Sequence, residues 1–200
     1  FPDALRARSR PTLAAGAVFV GSHNGRVYAL DQETACVRWV FSASAEVRNG
    51  LAVTPWQAGD DTAEPLVFFG DLIGYVYAVN AKTGELVWRD RPDGHPSSTI
   101  TGAASLFDNV LYVPVSSLEV IPAFDPDYEC CTFRGSVVAY DALTGDRLWQ
   151  AFTTDMPMPS GVTASGTTRM TPSGAPVWNS PTIDKQREQI VFGTGENYTS

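Results

Sequence analysis

Short apolar and β-branched runs separated by Gly-containing turns dominate the chain, and no long stretch carries the periodicity of a helix. The pattern repeats. "VFVGSHNGRVYALDQETACVRW" (18–39) aligns without gaps on "VFFGDLIGYVYAVNAKTGELVW" (67–88), so Gly21 and Gly25 match Gly70 and Gly74, Asp31 matches Asn80, and Trp39 matches Trp88. A third copy, "LYVP…RGSVVAYDALTGDRLW", supplies Gly135, Asp141 and Trp149 at the same separations, and a fourth begins at "IVFGTGE" (190–196). Each unit reads as a strand, a turn such as "HNG", an alternating strand such as "RVYALD", a second turn ("AKTG", "ALTG") and a strand ending in Trp. Short strands recurring about every 50 residues predict an all-β β-propeller of four-stranded antiparallel blades. The blade repeats fall near 17–41, 66–90 and 110–152, with an incomplete one at 177–200, so residues 1–200 form one partial propeller domain of about three to four blades. The repeated tryptophans are expected to fill the gaps between blades.

Composition narrows the function classes. The formal net charge is −8 and the 14 Lys and Arg residues are scattered, which argues against a nucleic-acid surface or an anionic membrane. No apolar run is long enough to span a bilayer, and "FPDALRARSRP" has neither an initiator Met nor a signal-peptide core, so the chain is expected to begin within a longer protein or as a mature form. An open propeller leaves an unpaired sheet edge, so the remainder of the propeller is an expected partner. The 3 cysteines, Cys36, Cys130 and Cys131, lack the spacing of a zinc site or of a haem attachment motif.

The third repeat departs from the other two. Between Pro114 and Gly135 it carries the insertion "VSSLEVIPAFDPDYECCTFR", with Ser116, Ser117, Glu119, Glu129, Arg134 and two adjacent cysteines. Departures from a structural repeat mark where a scaffold carries its site, because function sits on loops held by rigid elements. The residues alone leave Cys130 and Cys131 open to free thiols, a bridge to each other, or a bridge from one of them to Cys36. "GVTASGTTRMTPSGAP" (161–176) reads as a loop between blades, either a lid or a plain connection. His23 and His95 are unclustered, and there is neither a dinucleotide fingerprint nor a G-x-S-x-G elbow.

The tandem "G-x-V-Y-A-L-D-x-x-T-G-x-x-x-W" units, with "TITGAASL" (99–106), "LYVPVSSLE" (111–119), "ECCTFRGSVVAYDALTG" (129–145) and "VWNSPTID…FGTGENY" (177–198), resemble the alcohol dehydrogenases that use pyrroloquinoline quinone (PQQ). Within that family they are most similar to the polyvinyl-alcohol dehydrogenases. The resemblance implies an eight-bladed propeller with PQQ and calcium on its axis, and a periplasmic or secreted location. It implies cofactor contacts from Arg48, Thr101 and Ser116, a stacking face from Trp178, and a vicinal disulfide of Cys130 and Cys131 covering the opposite face. It implies calcium ligation by Glu119 and by Glu196 or Asn197, since in "GTGEN" Glu196 occupies the position of the family's ligating asparagine and Asn197 follows it. The family's catalytic aspartate lies in a later blade, so no catalytic residue is expected within this chain.

Those residue types suit the chemistry. A quinone with three carboxylates needs cations, hydroxyl donors and flat walls, while calcium prefers carboxylate and carbonyl oxygens and acts as a Lewis acid. The implied activity is hydride transfer from a primary or secondary alcohol, polymeric ones included, with electrons passing on to a cytochrome-type acceptor. The alternative is a non-catalytic propeller of the same repeat, acting as a protein-binding scaffold in the cell envelope. Ser116, Glu119, the cysteine pair and Trp178 favour the enzyme, because a scaffold has no use for their combination.

Overall fold

The computed structural model describes residues 8–199. In the first blade β1 (Thr12–Ala14), β2 (Ala17–Gly21), β3 (Arg26–Asp31) and β4 (Val37–Ser42) pair antiparallel in chain order. The second repeats this with β5 (Ala52–Val53), β6 (Leu66–Gly70), β7 (Val76–Asn80) and β8 (Leu86–Asp90). In the third, β10 (Ser105–Phe107), β11 (Val110–Ser117), β12 (Ser136–Asp141) and β13 (Arg147–Phe152) form the same meander, and β9 (Ser98–Thr99) joins the far end of β11. Strands β17 (Thr182–Asp184) and β18 (Gln189–Val191) pair as the start of a fourth. The innermost strands neighbour one another in series, β1 against β5, β5 against β10 and β10 against β17, as blades arranged about an axis require.

The apolar run "LVFF" on β6 shows why the strands are not simply amphipathic. Val67 and Phe69 pack with Phe19, Val27 and Trp39 of the first blade, whereas Leu66 and Phe68 pack with Leu111, Val113 and Val138 of the third. A blade between two others buries both faces, so its strands carry apolar side chains at consecutive positions.

The "D-x-x-T-G" turns and the tryptophans lock one blade to the next. Asp31, Asn80 and Asp141 each use their Oδ1 to accept two backbone N–H groups of the following turn. The turn then needs a left-handed residue, supplied by Ala35 (φ 58), Gly84 (φ 76) and Gly145 (φ 78). A Cβ on Gly84 would stand 2.8 Å from the Trp39 ring, and one on Gly145 would stand 2.7 Å from the Trp88 ring. The indole of each blade therefore lies on the glycine turn of its successor. There its Nε1 donates to a carbonyl, Trp39 to Ala81 at 2.9 Å and Trp88 to Ala142 at 2.9 Å. Trp149 occupies the equivalent place in the third blade, packs against Tyr112 and stays 42% exposed.

Two segments differ from the sequence expectation. Residues 161–176, expected to be a loop between blades, either a lid or a plain connection, instead fall largely within a hairpin of β14 (Met158–Val162) and β15 (Thr168–Thr171), followed by β16 (Ser173–Gly174) paired with β19 (Asn197–Thr199). The Ser/Thr-rich composition that suggested a loop is here the solvated alternation of a ribbon. The insertion after β11 folds back through a short 3₁₀ turn, Pro122–Phe124, and lies beside this hairpin, where Met170 N–H donates to Cys130 O at 2.9 Å.

Candidate functional site

The segments that immediately precede the innermost strands converge at one end of the ring. Residues 8–10 lead into β1, 48–50 into β5, 101–103 into β10 and 178–180 into β17, and all four line a chamber of about 290 Å³. A second cavity of about 410 Å³ adjoins it and shares Arg48, Thr101 and Trp178. Its remaining wall includes Thr99 and Ser116, opposed in the β9–β11 ladder, together with Glu196 and Tyr198. Five of the residues named from the sequence, Arg48, Thr101, Ser116, Trp178 and Glu196, thus line one cavity although they come from three successive blades.

Local bonding explains how they are held. Buried Asn49 donates from Nδ2 to Gly70 O at 3.0 Å and to Ile100 O at 2.9 Å, which fixes Arg48 on one side and Thr101 on the other. Trp178 is gripped through its neighbours: Val177 N–H donates to Val115 O at 3.0 Å, and Asn179 Nδ2 donates to Gly193 O at 2.8 Å. A Cβ on Gly102 would meet Asn179 O at 2.7 Å, so only glycine lets the two segments approach so closely. The Trp178 indole itself is 53% exposed and available as a flat wall.

The cavity also holds polar atoms with nothing to bind. Thr99 Oγ1 and Arg48 Nε are buried and make no hydrogen bond, although Arg48 Nη2 reaches Glu46 Oε2 at 2.8 Å. Orphaned buried donors are costly and mark places where a ligand supplies the missing partner. Burial pushes the Tyr198 phenol up to about 12, with the charges of Glu196 and Glu119 adding to the effect, so it is a neutral donor at any physiological pH. Thr99 and Tyr198 escaped sequence reasoning, because threonine and tyrosine both read as ordinary β-formers.

The other named residues are not brought to this cavity. Glu119 is fully buried. Its Oε1 accepts from Tyr128 Oη at 3.0 Å and from Thr132 N–H at 2.9 Å, its Oε2 accepts from Phe133 N–H at 2.8 Å, and His95 Nε2 lies 3.3 Å from Oε1. Burial opposes its ionisation, but the hydrogen bonds from His95, Thr132 and Phe133 outweigh that and hold its carboxyl below the ordinary glutamate range. Here the carboxylate ties the returning limb of the insertion to β11. Cys130 and Cys131 form a vicinal disulfide across a cis peptide bond, beside β15 and outside the set of residues that line the cavity with Trp178. Successive side chains of a strand face opposite ways, so Glu196 faces the cavity while Asn197 lines a separate open pocket with Arg134 and Asp155.

The donor set fits an anionic planar ligand better than a metal. Among the described residues no cluster of three or more His, Cys, Asp or Glu side chains could hold a metal ion. Glu196 is the single carboxylate among the cavity's lining residues. Calcium takes roughly six to eight oxygen ligands, and with Glu119 engaged and Asn197 turned away these residues do not make such a site by themselves.

The family described as "Outer membrane protein assembly factor BamB" (PQQ_2) matches residues 4–172. The chain belongs to this family. The chain is 36% identical over 189 residues to the polyvinylalcohol dehydrogenase of Sphingopyxis sp. (strain 113P3), covering 94% of this chain and 29% of that protein. It is 35% identical over 109 residues to subunit 1 of the methanol dehydrogenase [cytochrome c] of Paracoccus denitrificans, covering 54% of this chain and 15% of that protein. The solved quinohemoprotein alcohol dehydrogenase of Comamonas testosteroni superposes with a TM-score of 0.71 at 22% identity, over 98% of this chain and 30% of that one, and shares its propeller fold. The chain therefore spans under a third of the length of these relatives, and the resemblance to PQQ-type alcohol dehydrogenases read from the blade motifs holds.

Proposed function

We propose that this chain is the cofactor-holding part of a PQQ-dependent dehydrogenase that oxidises primary or secondary alcohols, polymeric ones included. The observation that carries the reading is the cavity itself: a half-exposed indole, an arginine with an unpaired Nε and a threonine with an unpaired hydroxyl meet in a space of about 410 Å³. Arg48 supplies a cation for a carboxylate, Thr99, Thr101, Ser116 and Tyr198 supply hydroxyls, and Trp178 supplies a stacking face. When bound, the quinone is the hydride acceptor, and the protein's share is orientation, charge and exclusion of water. No residue here takes the alcohol proton, so the isolated chain binds without turning over. Calcium, a cytochrome-type electron acceptor and a periplasmic or secreted site of action belong to the same reading of the full protein, with any metal completed by residues outside this chain. No helix among the described residues is long and apolar enough to cross a membrane.

The test is reconstitution of the full-length protein with PQQ and calcium, followed by calorimetric binding and dye-linked alcohol oxidation. Stoichiometric binding that Trp178→Ala weakens, with alcohol-dependent dye reduction, is the expected result. Absence of PQQ binding, or full affinity after Trp178→Ala, would overturn the assignment and leave the scaffold reading.

A further inference from the structure

The 290 Å³ chamber next to the proposed quinone cavity contains a concentration of charge that the composition hides. Arg8, Arg10 and Arg48 line it, and none of the other described residues that line it carries a charge, in a chain whose net charge is −8. Three other arginines are neutralised by partners: Arg38 pairs with Asp31, Arg147 with Asp90 and Arg187 with Asp184. Arg8 and Arg10 make no ion pair among the described residues, and Arg48 keeps its Nε unpaired although Glu46 engages its Nη2. Three arginines on the wall of one chamber, with no acidic residue among the described residues that line it, make the chamber favourable to an anion.

The fold places them there by construction. Ser9, between the two arginines, is buried, donates from Oγ to Asn49 O at 2.8 Å and accepts from Gly21 N–H at 3.0 Å. Its burial turns its exposed neighbours Arg8 and Arg10 together toward the chamber, while the backbone it bonds belongs to the residue next to Arg48. One buried serine thus sets the spacing of all three cations.

We propose that Arg8 and Arg10, with Arg48, form a carboxylate-binding subsite for the ligand of the adjoining cavity, so that a planar polycarboxylate is held through two of its carboxylates from neighbouring chambers. The inference rests on the PQQ reading and extends it to residues that the sequence analysis left among scattered surface bases. The shared chamber wall of Arg48, Thr101 and Trp178 lets one rigid molecule reach both spaces. Guanidinium groups suit the role because their fork matches a carboxylate in bidentate fashion.

The experiment is calorimetric titration of the full-length protein and of an Arg8→Gln/Arg10→Gln variant with PQQ, at low and at moderate salt. Arg10→Lys is the charge-keeping control, and urea unfolding checks that each variant is folded. Loss of two charged contacts predicts at least about a tenfold weaker Kd, a shallower salt dependence than wild type, and a smaller loss for Arg10→Lys. An unchanged Kd and salt dependence in the double variant overturns the subsite while leaving the quinone reading intact. Failure of the wild-type protein to bind PQQ overturns both, even if inorganic phosphate binds in the chamber.

Discussion

Replacing Thr99 by Val separates the cost of an empty site from its use. Thr99 is 2% exposed, its Oγ1 has no partner, and it lies opposite Ser116 in the β9–β11 ladder. Valine has the same branched shape and an equal or greater liking for a strand. A buried, unsatisfied hydroxyl costs about 1–3 kcal/mol, so removing it without leaving a hole stabilises the ligand-free protein by about 1 kcal/mol. With PQQ the order changes. If the hydroxyl bonds the ligand, its loss weakens binding by about tenfold. At a ligand concentration a hundred times the wild-type Kd, wild type gains about 2.7 kcal/mol from binding. At the same concentration the variant, at only ten times its own Kd, gains about 1.4 kcal/mol. The stability advantage of the variant should therefore vanish when ligand is added. Urea unfolding with and without PQQ reads both quantities. A variant less stable than wild type when empty, or an equal ligand-induced shift in the two proteins, would refute the reasoning.

Two further outcomes follow from the fold. Gly145→Ala should cost about 2 kcal/mol or more, because a left-handed alanine costs about 1–2 kcal/mol and its Cβ also displaces the Trp88 ring, whereas Ala35→Gly, the same turn in the first blade, should stabilise by about 0.5–1 kcal/mol; equal effects in urea titrations would show that the indole does not rest on the turn. Glu119 has a folded pKa below its ordinary value of 4.5, so its contribution is complete at neutral pH and is lost as pH falls through that lowered value; Glu119→Gln, which turns an amide donor toward the Thr132 or Phe133 N–H, should remove that acid dependence and speed limited proteolysis within 118–134, and cleavage at the wild-type rate would count against its tethering role.

The blades were legible because each one buries the same faces in the same way, so Gly, Asp and Trp recur at fixed separations and the alignment of 18–39 on 67–88 needs no gap. The site was legible only through resemblance. Arg48, Thr101, Ser116, Trp178 and Glu196 lie far apart in the chain, and nothing in their local sequence says that the axis gathers them. Arg8 and Arg10 look like ordinary surface bases, and only the burial of Ser9 between them sets both, still exposed, on the wall of the chamber. The resemblance makes Glu119 a calcium ligand, while in the structure its carboxylate accepts from the N–H groups of Thr132 and Phe133, which come from the far limb of the same insertion. Which acceptor a returning loop will find is a property of its closure, which local sequence does not encode.

The indole that rests on the next blade's glycine turn makes the second and third blades the keepers of their predecessors. Fastening runs in one direction, from outermost strand to following turn, and it uses only atoms that recur in each repeat. A whole blade can therefore be duplicated or excised and the chain still finds a tryptophan on one side of the junction and a waiting turn on the other, whereas a cut in mid-blade strands both halves of the clasp. The unit in which this chain can be lengthened, shortened or recombined is the blade from inner strand to tryptophan, and its boundaries lie in the same pre-strand segments that carry Arg10, Arg48, Thr101 and Trp178. Exchanging blades therefore exchanges walls of the cavity one at a time.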